Sequence, residues 1–316
     1  MRPLRHLVRP SMLPTTRDYY DVLKGTIDLH IHSTPDGFPR LLDDLEVARQ
    51  ARDAGMHAIL LKCHVTTTCD RAYLVNQVVE GIDVYGGIVL NHPVGGLNPA
   101  AVKTAIYMGA RAVWMPTMWS DVHVKFARKM NMDGYAAIGM KFPEQGVTVL
   151  SPSGELLDEA KEILDMIAES GIMLATAHLS FEEQSLLIEA AKGAGITRIV
   201  VTHPTYQVLA FSRGQILALA DMGVYMEFCM LPLTPQWTLR DRERGWSPRD
   251  VADLIKEIGP DRCVLATDLG QVHNPPPVEG LRMFIRMMEE GGLTADDLDV
   301  MTRVNPAELL GLSPQG

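Results

Sequence analysis

Two histidines stand two residues apart, His30 and His32, at the end of a β-rich run reading TIDLHIH. Side chains two apart on a strand point to the same face, so Asp28, His30 and His32 would share one side. Imidazole is the commonest protein ligand for zinc and also suits iron, nickel and copper. The pair could therefore hold a metal, but it is equally compatible with one hydrogen-bonded core histidine and one at the surface. Its company separates these readings. Lys62 and His64, then His178, His203, Glu227 and Asp268, close further β-rich runs, and His92 follows another. All are residue types that bind metals or move protons.

The runs that must position them are residues 26–32, 57–64, 84–91, 112–116, 172–178, 198–203, 223–229 and 263–268. Several are almost continuously apolar, as expected of parallel strands covered on both faces. Amphipathic segments lie between them. Residues 43–54 carry Leu45, Ala48 and Ala51 at helical spacing and stop at Gly55. Asn98-Pro99 opens another helix, residues 155–170 end at Gly171, and Ser180 with Glu183 reads as a capping box. Ser247-Pro248 caps one more, which Gly259-Pro260 ends.

Eight strand–helix units in order give either a (β/α)₈ TIM barrel or a doubly wound sheet. A doubly wound sheet would gather its ligands at one switch point. A closed barrel brings the C-terminal ends of all its strands around one centre. Polar endings on six of the eight runs favour the α/β TIM barrel.

The chain of 316 residues is 47% hydrophobic and 22% charged, an ordinary balance for a globule with a large core. No linker divides it, and the expected organisation is an N-terminal extension over residues 1–24 and a single metal-dependent barrel domain over 25–316. MRPLRHLVRP at the start carries Arg2, Arg5 and Arg9 but lacks the Ser-rich character of a transit peptide and the apolar core of a signal peptide. A net charge of −10 makes nucleic acid a poor partner. No apolar run approaches the roughly 18 residues that span a bilayer. Cys63, Cys69, Cys229 and Cys263 form no C-x-x-C pair, which suits a reducing, cytoplasmic setting.

At the level of the ordered motifs, the sequence resembles the amidohydrolase superfamily. The resemblance rests on DLHIH (His30, His32), ATAHLS (His178), VVTHP (His203) and LATDLG (Asp268), with NPAELLGL over 305–312 resembling the terminal helix. It spans nearly the whole chain. It implies a barrel enzyme in which the H-x-H pair, two later strand-end histidines and a strand-eight Asp surround metal. One departure stands out. Many two-metal members carry a bridging Lys or Glu on strand four, where this chain reads AVWMPT.

Two ligand shells follow. With one ion, His30, His32, His178 and Asp268 bind and His203 orients water or substrate. With two, His64, His92, His203 or Glu227 completes a second shell, and the number of histidines favours this version. Lys62 could bridge, bind a substrate anion or pair with an acid such as Asp268. Glu227 ends an apolar run where an unpaired carboxylate is costly, so it is a ligand, a proton carrier or a partner of Lys62. Cys63, of opposite parity, faces the helices.

The resemblance implies metal-assisted hydrolysis of an amide, ester or related bond in a small molecule, with zinc or iron as cofactor. Asp268 would move the proton of water to the leaving group, and His203 and His178 would steady the developing charge. A di-iron oxygenase or a metal-dependent decarboxylase is compatible with the same barrel, and a non-catalytic binding barrel is the third reading. The expected partner is a small molecule, with an anionic one compatible; no membrane is expected, and a homo-oligomer is left open. Residues 117–154 are long for a βα loop and could hold a hairpin lid. Trp114, Trp119, Phe142 and Trp237 could contact substrate, with Arg240, Arg242 or Arg244 holding an anion. His6, His123 and His273 read as loop or tail residues, and Met283, Met287 and Met288 as helix packing.

Overall fold

The computed structural model describes residues 21–235 and 245–312. Short aliphatic runs form the strands β1 (Ile27–Ile31), β2 (Ala58–Leu61), β3 (Asp83–Tyr85), β4 (Gly87–Val89) and β5 (Ala112–Trp114). A small hairpin, β6 (Gly134–Tyr135) and β7 (Met140–Lys141), comes next. Then follow β8 (Met173–Ala175), β9 (Ile199–Thr202), β10 (Tyr225–Cys229) and β11 (Cys263–Ala266). The helices are α1 (Asp44–Asp53), α2 (Cys69–Asn76), α3 (Pro99–Tyr107), α4 (Asp121–Lys129), α5 (Asp158–Ser170) and α6 (Phe181–Gly193). They continue as α7 (Arg213–Asp221), α8 (Pro248–Ile258), α9 (Pro277–Glu290), α10 (Ala295–Asp299) and α11 (Asn305–Leu310).

All strands but the hairpin pair in parallel, in the orders β1-β2-β3 and β11-β10-β9-β8-β5-β4. Two connections join these into one circuit. β3 and β4 are halves of the run expected at 84–91, parted at Gly86. A Cβ there would lie 2.4 Å from the Thr68 carbonyl oxygen, so only glycine lets the two segments approach. Thr68 Oγ1 accepts the Gly87 N–H at 2.9 Å, replacing a strand-to-strand bond. At the other seam, Asp268 N–H donates to the His30 carbonyl and His32 N–H to the Leu269 carbonyl, each at 2.8 Å. These bonds draw β11 alongside β1.

The helix signals operate as local physics demands. Asp43 and Glu46 form a reciprocal capping box on α1, and Ser180 with Glu183 does so on α6. Such caps contribute about 1 kcal/mol each. Val251, Ala252, Leu254 and Ile255 make the buried stripe of α8. Gly171 ends α5 in the left-handed conformation at φ 64°.

The long segment after β5 contains α4 and the β6–β7 hairpin, as the length of that connection suggested. It carries its own aromatic cluster: Tyr135 meets Trp119 at 5.0 Å, Phe142 at 4.8 Å and Phe38 of the loop after β1 at 5.4 Å between ring centroids. Offset or edge-to-face ring pairs of this kind add about 1 kcal/mol beyond area burial. Trp237, Arg240, Arg242 and Arg244 lie outside the described residues. Among the described residues no helix is long and apolar enough to cross a membrane. All four cysteines are buried and unpaired.

Candidate metal centre

The C-terminal strand ends deliver the site. His30 lies within β1, and His32, His178, His203 and Asp268 follow the ends of β1, β8, β9 and β11. All five are buried. Ala177, His203 and Asp268 have positive φ of 53°, 32° and 54°. Such backbone costs a residue with a side chain on the order of 1 kcal/mol, and it gathers where side chains are aimed at a common point. Gly270 permits the seam to close tightly, since a Cβ there would meet the His32 carbonyl oxygen at 1.9 Å.

Asp268 Oδ1 lies 3.0 Å from Nε2 of both His30 and His32. His178 and His203 meet through their Nε2 atoms at 3.1 Å, and His203 Nε2 is 4.0 Å from Asp268 Oδ2. These separations resemble the edge of a coordination polyhedron with metal–nitrogen bonds of about 2.0–2.1 Å, whose edges are roughly 3.0–3.4 Å. His203 Nδ1 is buried with no hydrogen-bond partner among the described residues. His30, His32 and Asp268 form one group whose ligand atoms lie within 4.8 Å of one another. The nitrogen and oxygen donors suit zinc or iron. By these measures the residues fit a divalent ion.

The surrounding hydrogen bonds fix the rings. Lys62 Nζ stands 2.9 Å from His30 Nε2. His30 Nε2 thus faces both this amine and the acceptor Asp268 Oδ1, and the other ring nitrogen, Nδ1, lies 3.4 Å from the Glu227 carboxylate. Glu227 therefore orients His30 from behind, as carboxylates do for metal-binding histidines. Arg40 Nη2 donates to His32 Nδ1 at 3.3 Å. His32 consequently carries its proton on Nε2, toward Asp268, and Arg40 must turn aside for that nitrogen to ligate. Asp28 accepts from the Thr267 hydroxyl at 2.6 Å and from the backbone of His30 and Thr267 at 3.1 Å. It ties β1 to β11 directly behind the cluster.

A second chain of bonds defines His64. The Asn91 side-chain oxygen accepts the Thr117 N–H at 2.8 Å, and its amide donates to Thr117 Oγ1 at 2.7 Å and to the His64 carbonyl at 3.0 Å. The Thr117 hydroxyl proton is left for His64 Nδ1, 3.0 Å away. His64 is then the Nε2–H tautomer. Its ring stacks on His32 with centroids 4.6 Å apart.

Burial governs the charges. It holds His32, His64 and His178 well below the usual imidazole value and His203 at about 3. His30 is the exception: burial opposes its charge, but the Asp268 and Glu227 carboxylates outweigh burial and raise it. Burial likewise opposes the Asp268 charge, and the His30 and His32 imidazoles overcome it, keeping that carboxyl well below its ordinary range. Burial lowers Lys62 despite the same two carboxylates, and pushes the Asp28 carboxyl up to about 7 against its hydrogen bonds. The Cys229 thiol, 3.9 Å from His30 Nδ1, is pushed well above its ordinary value by burial.

The structure thus brings together His30, His32, Lys62, His64, His178, His203, Glu227 and Asp268. His92 is exposed, on a 3-10 turn spanning His92–Val94. Trp114 is buried inside the barrel, with Lys62 Nζ 5.5 Å from its ring centroid. His123 needs correction: it is not a loop residue but part of α4, buried, with Nδ1 2.7 Å from His178 Nδ1. Arg40, Asn91, Thr117 and Tyr206 were also not singled out by sequence. Tyr206 packs its ring 4.9 Å from His203 and 5.5 Å from His178. The one available signal was position, since each follows shortly after a strand, where barrel sites are built.

The sequence profile of a family described as a family of unknown function, DUF6282, matches residues 25–227. No curated protein sequence matches the chain. Among solved structures, a protein assigned as a 2-pyrone-4,6-dicarboxylic acid hydrolase from Pseudomonas putida has TM-score 0.57 and 17% identity, covering 92% of this chain and 99% of that one. The probable dipeptidase PvdM from Pseudomonas aeruginosa has TM-score 0.59 and 12% identity, with 93% and 96% covered. A 2,6-dihydroxybenzoate decarboxylase has TM-score 0.53 and 10% identity, with 92% and 100% covered. Likeness at such identities is a likeness of fold. The fold is the TIM-barrel, amidohydrolase-like one that the sequence motifs implied.

Proposed function

The chain belongs to the family of unknown function DUF6282, and from that premise we propose that it is a metal-dependent enzyme hydrolysing an amide, ester or related bond in a small molecule. The observation that carries this reading is the meeting of the His30, His32 and His203 Nε2 atoms with the Asp268 carboxylate at the strand ends, with His178 Nε2 joined to them through His203. His30, His32, His178 and Asp268 would hold a divalent ion, zinc or iron, and His203 would face the reacting group. When bound, such an ion supplies Lewis acidity and an acidified water.

The chain's own residues would do the rest. Asp268, ionised and beside the Nε2 atoms of His30, His32 and His203, accepts a proton and passes it to the leaving group. His64 presents an Nε2–H donor to a substrate oxygen, and Tyr206 limits water beside His203. Arg40 and Lys62 are buried cations beside the centre, which favours an anionic substrate. The same two cations make decarboxylation of a carboxylate substrate the second reading.

Elemental analysis of protein purified without chelator, followed by assay on a panel of lactones, esters and amides, tests the proposal. The expected result is bound metal and hydrolysis that Asp268→Asn lowers by about 10²- to 10⁴-fold. Release of carbon dioxide in place of hydrolysis would move the assignment to the second reading. Two irons with oxygen consumption would replace it with an oxygenase.

A further inference from the structure

His123 reaches the candidate centre from outside the set of strand ends. It sits in the first turn of α4, where Ser120 caps the helix and accepts the His123 N–H at 3.1 Å. That turn is clamped against residue 146: a Cβ on Gly146 would meet Asp121 Cα at 2.4 Å, and Val147 pairs with Ser120. His178 is held independently, its N–H bonded to the Pro116 carbonyl at 3.1 Å. Both backbones are therefore fixed before the rings meet.

The rings lie near-parallel, at 10°, with their Nδ1 atoms 2.7 Å apart. Two imidazole nitrogens at that distance need one proton between them, so one ring donates and the other accepts. If His178 donates, its Nε2 keeps a lone pair aimed at His203 Nε2, 3.1 Å away. If His123 donates, His178 carries its proton on Nε2 and cannot ligate through it. The two tautomers of this pair thus correspond to a His178 that can bind a metal and one that cannot.

Resting on the metal-centre reading above, we infer that His123 is a positioning residue: it accepts the Nδ1–H of His178 and holds His178 Nε2 ready for the ion. A histidine takes the place that a carboxylate or backbone carbonyl commonly occupies behind a metal-binding imidazole. The role requires an acceptor at the Nδ1 position and no change in charge. It also gives the α4 segment a direct part in the site, although β5 itself contributes Trp114 and no ligand.

Zinc binding, measured by competition with a chromophoric chelator, separates this role from simple packing. His123→Phe keeps the ring and removes the acceptor, and should weaken zinc by about tenfold to a hundredfold. His123→Asn places an oxygen near the Nδ1 position and should stay within about threefold of the wild type. Equal affinity in wild type and His123→Phe, or equal losses in both variants, would overturn the inference. Long-range ¹H–¹⁵N spectra of the zinc-loaded wild type provide a check that needs no variant. His178 should be protonated at Nδ1 and bare at Nε2, and the reverse would overturn the assignment. The wild-type titration keeps the two levels apart: no binding of zinc, iron, manganese or cobalt would sink the metal centre itself, and this role with it.

Discussion

Lys62 Nζ lies 2.9 Å from His30 Nε2, the nitrogen that a metal ion would take. The ammonium and an ion therefore compete for the same nitrogen.

Two positive charges about 4 Å apart at an effective dielectric near 20 repel by roughly 4 kcal/mol, and a dication doubles the figure. Burial already disfavours the Lys62 charge, and a nearby cation disfavours it further. Lys62→Met, of similar length and uncharged, should therefore bind zinc at least about tenfold more tightly than the wild type. Isothermal titration would show it. Loss of zinc from this variant would instead make Lys62 a ligand or bridge.

The sequence made the polar strand ends legible because barrel geometry needs little more than strand order and parity to assign them. His30 and His32 share a face by the pleat alone, and His178, His203 and Asp268 follow from which runs end where. Arg40 was hidden for a different reason. Its place against His32 depends on how the loop after β1 folds, including the pairing of Arg40 with Gln271 far along the chain. His123 was hidden because helical spacing says which face it occupies but not which strand end that face meets. The Asn91–Thr117–His64 chain joins three separate strand ends, and none of its members is a metal ligand type except His64. The strand expected over 84–91 is broken at Gly86, where a distant Thr68 decides the break, and ends at Val89.

That hydrogen-bond chain can be tested through Thr117. Thr117→Val removes the hydroxyl but keeps the shape, leaving the Asn91 amide and His64 Nδ1 with one partner fewer. A buried polar group left unsatisfied costs about 1–3 kcal/mol. Denaturant titration should show a loss in that range, and Thr117→Ser should recover most of it. If Val were neutral, the tautomer assigned to His64 would lose its support.

Removing metal should matter to the fold as well as the chemistry. Without an ion, the imidazoles of His30, His32, His64, His178 and His203 and the carboxylates of Asp28, Glu227 and Asp268 stay buried in and behind the site. Ligand binding to the folded state alone stabilises by about 2.7 kcal/mol at a hundredfold excess over Kd. For a chain of this size that corresponds to about 4 °C in Tm. Scanning calorimetry before and after chelation, with zinc restored, measures it. An unchanged Tm in the presence of saturating zinc would argue against a preformed metal centre.

The last prediction concerns what holds the end of β1. Arg71 donates to both Asp44 oxygens, at 2.7 and 2.6 Å, and to the Ser33 carbonyl at 3.0 Å. Ser33, next to His32, gives its hydroxyl to Asp44 at 2.5 Å. Arg71 and Asp44 are each less than one-tenth exposed, so this is a nearly desolvated pair. Breaking such a pair from one side strands the other charge and costs about 3–5 kcal/mol. Arg71→Met should lose stability on that scale. Arg71→Met combined with Asp44→Leu should regain much of it, because no lone charge remains. The double variant should nevertheless bind zinc more weakly than the wild type, since the Ser33 carbonyl has lost its donor and the strand end carrying His32 is less firmly held. A double variant with both stability and zinc affinity unchanged would confine the Arg71–Asp44 pair to a role that neighbouring packing can replace.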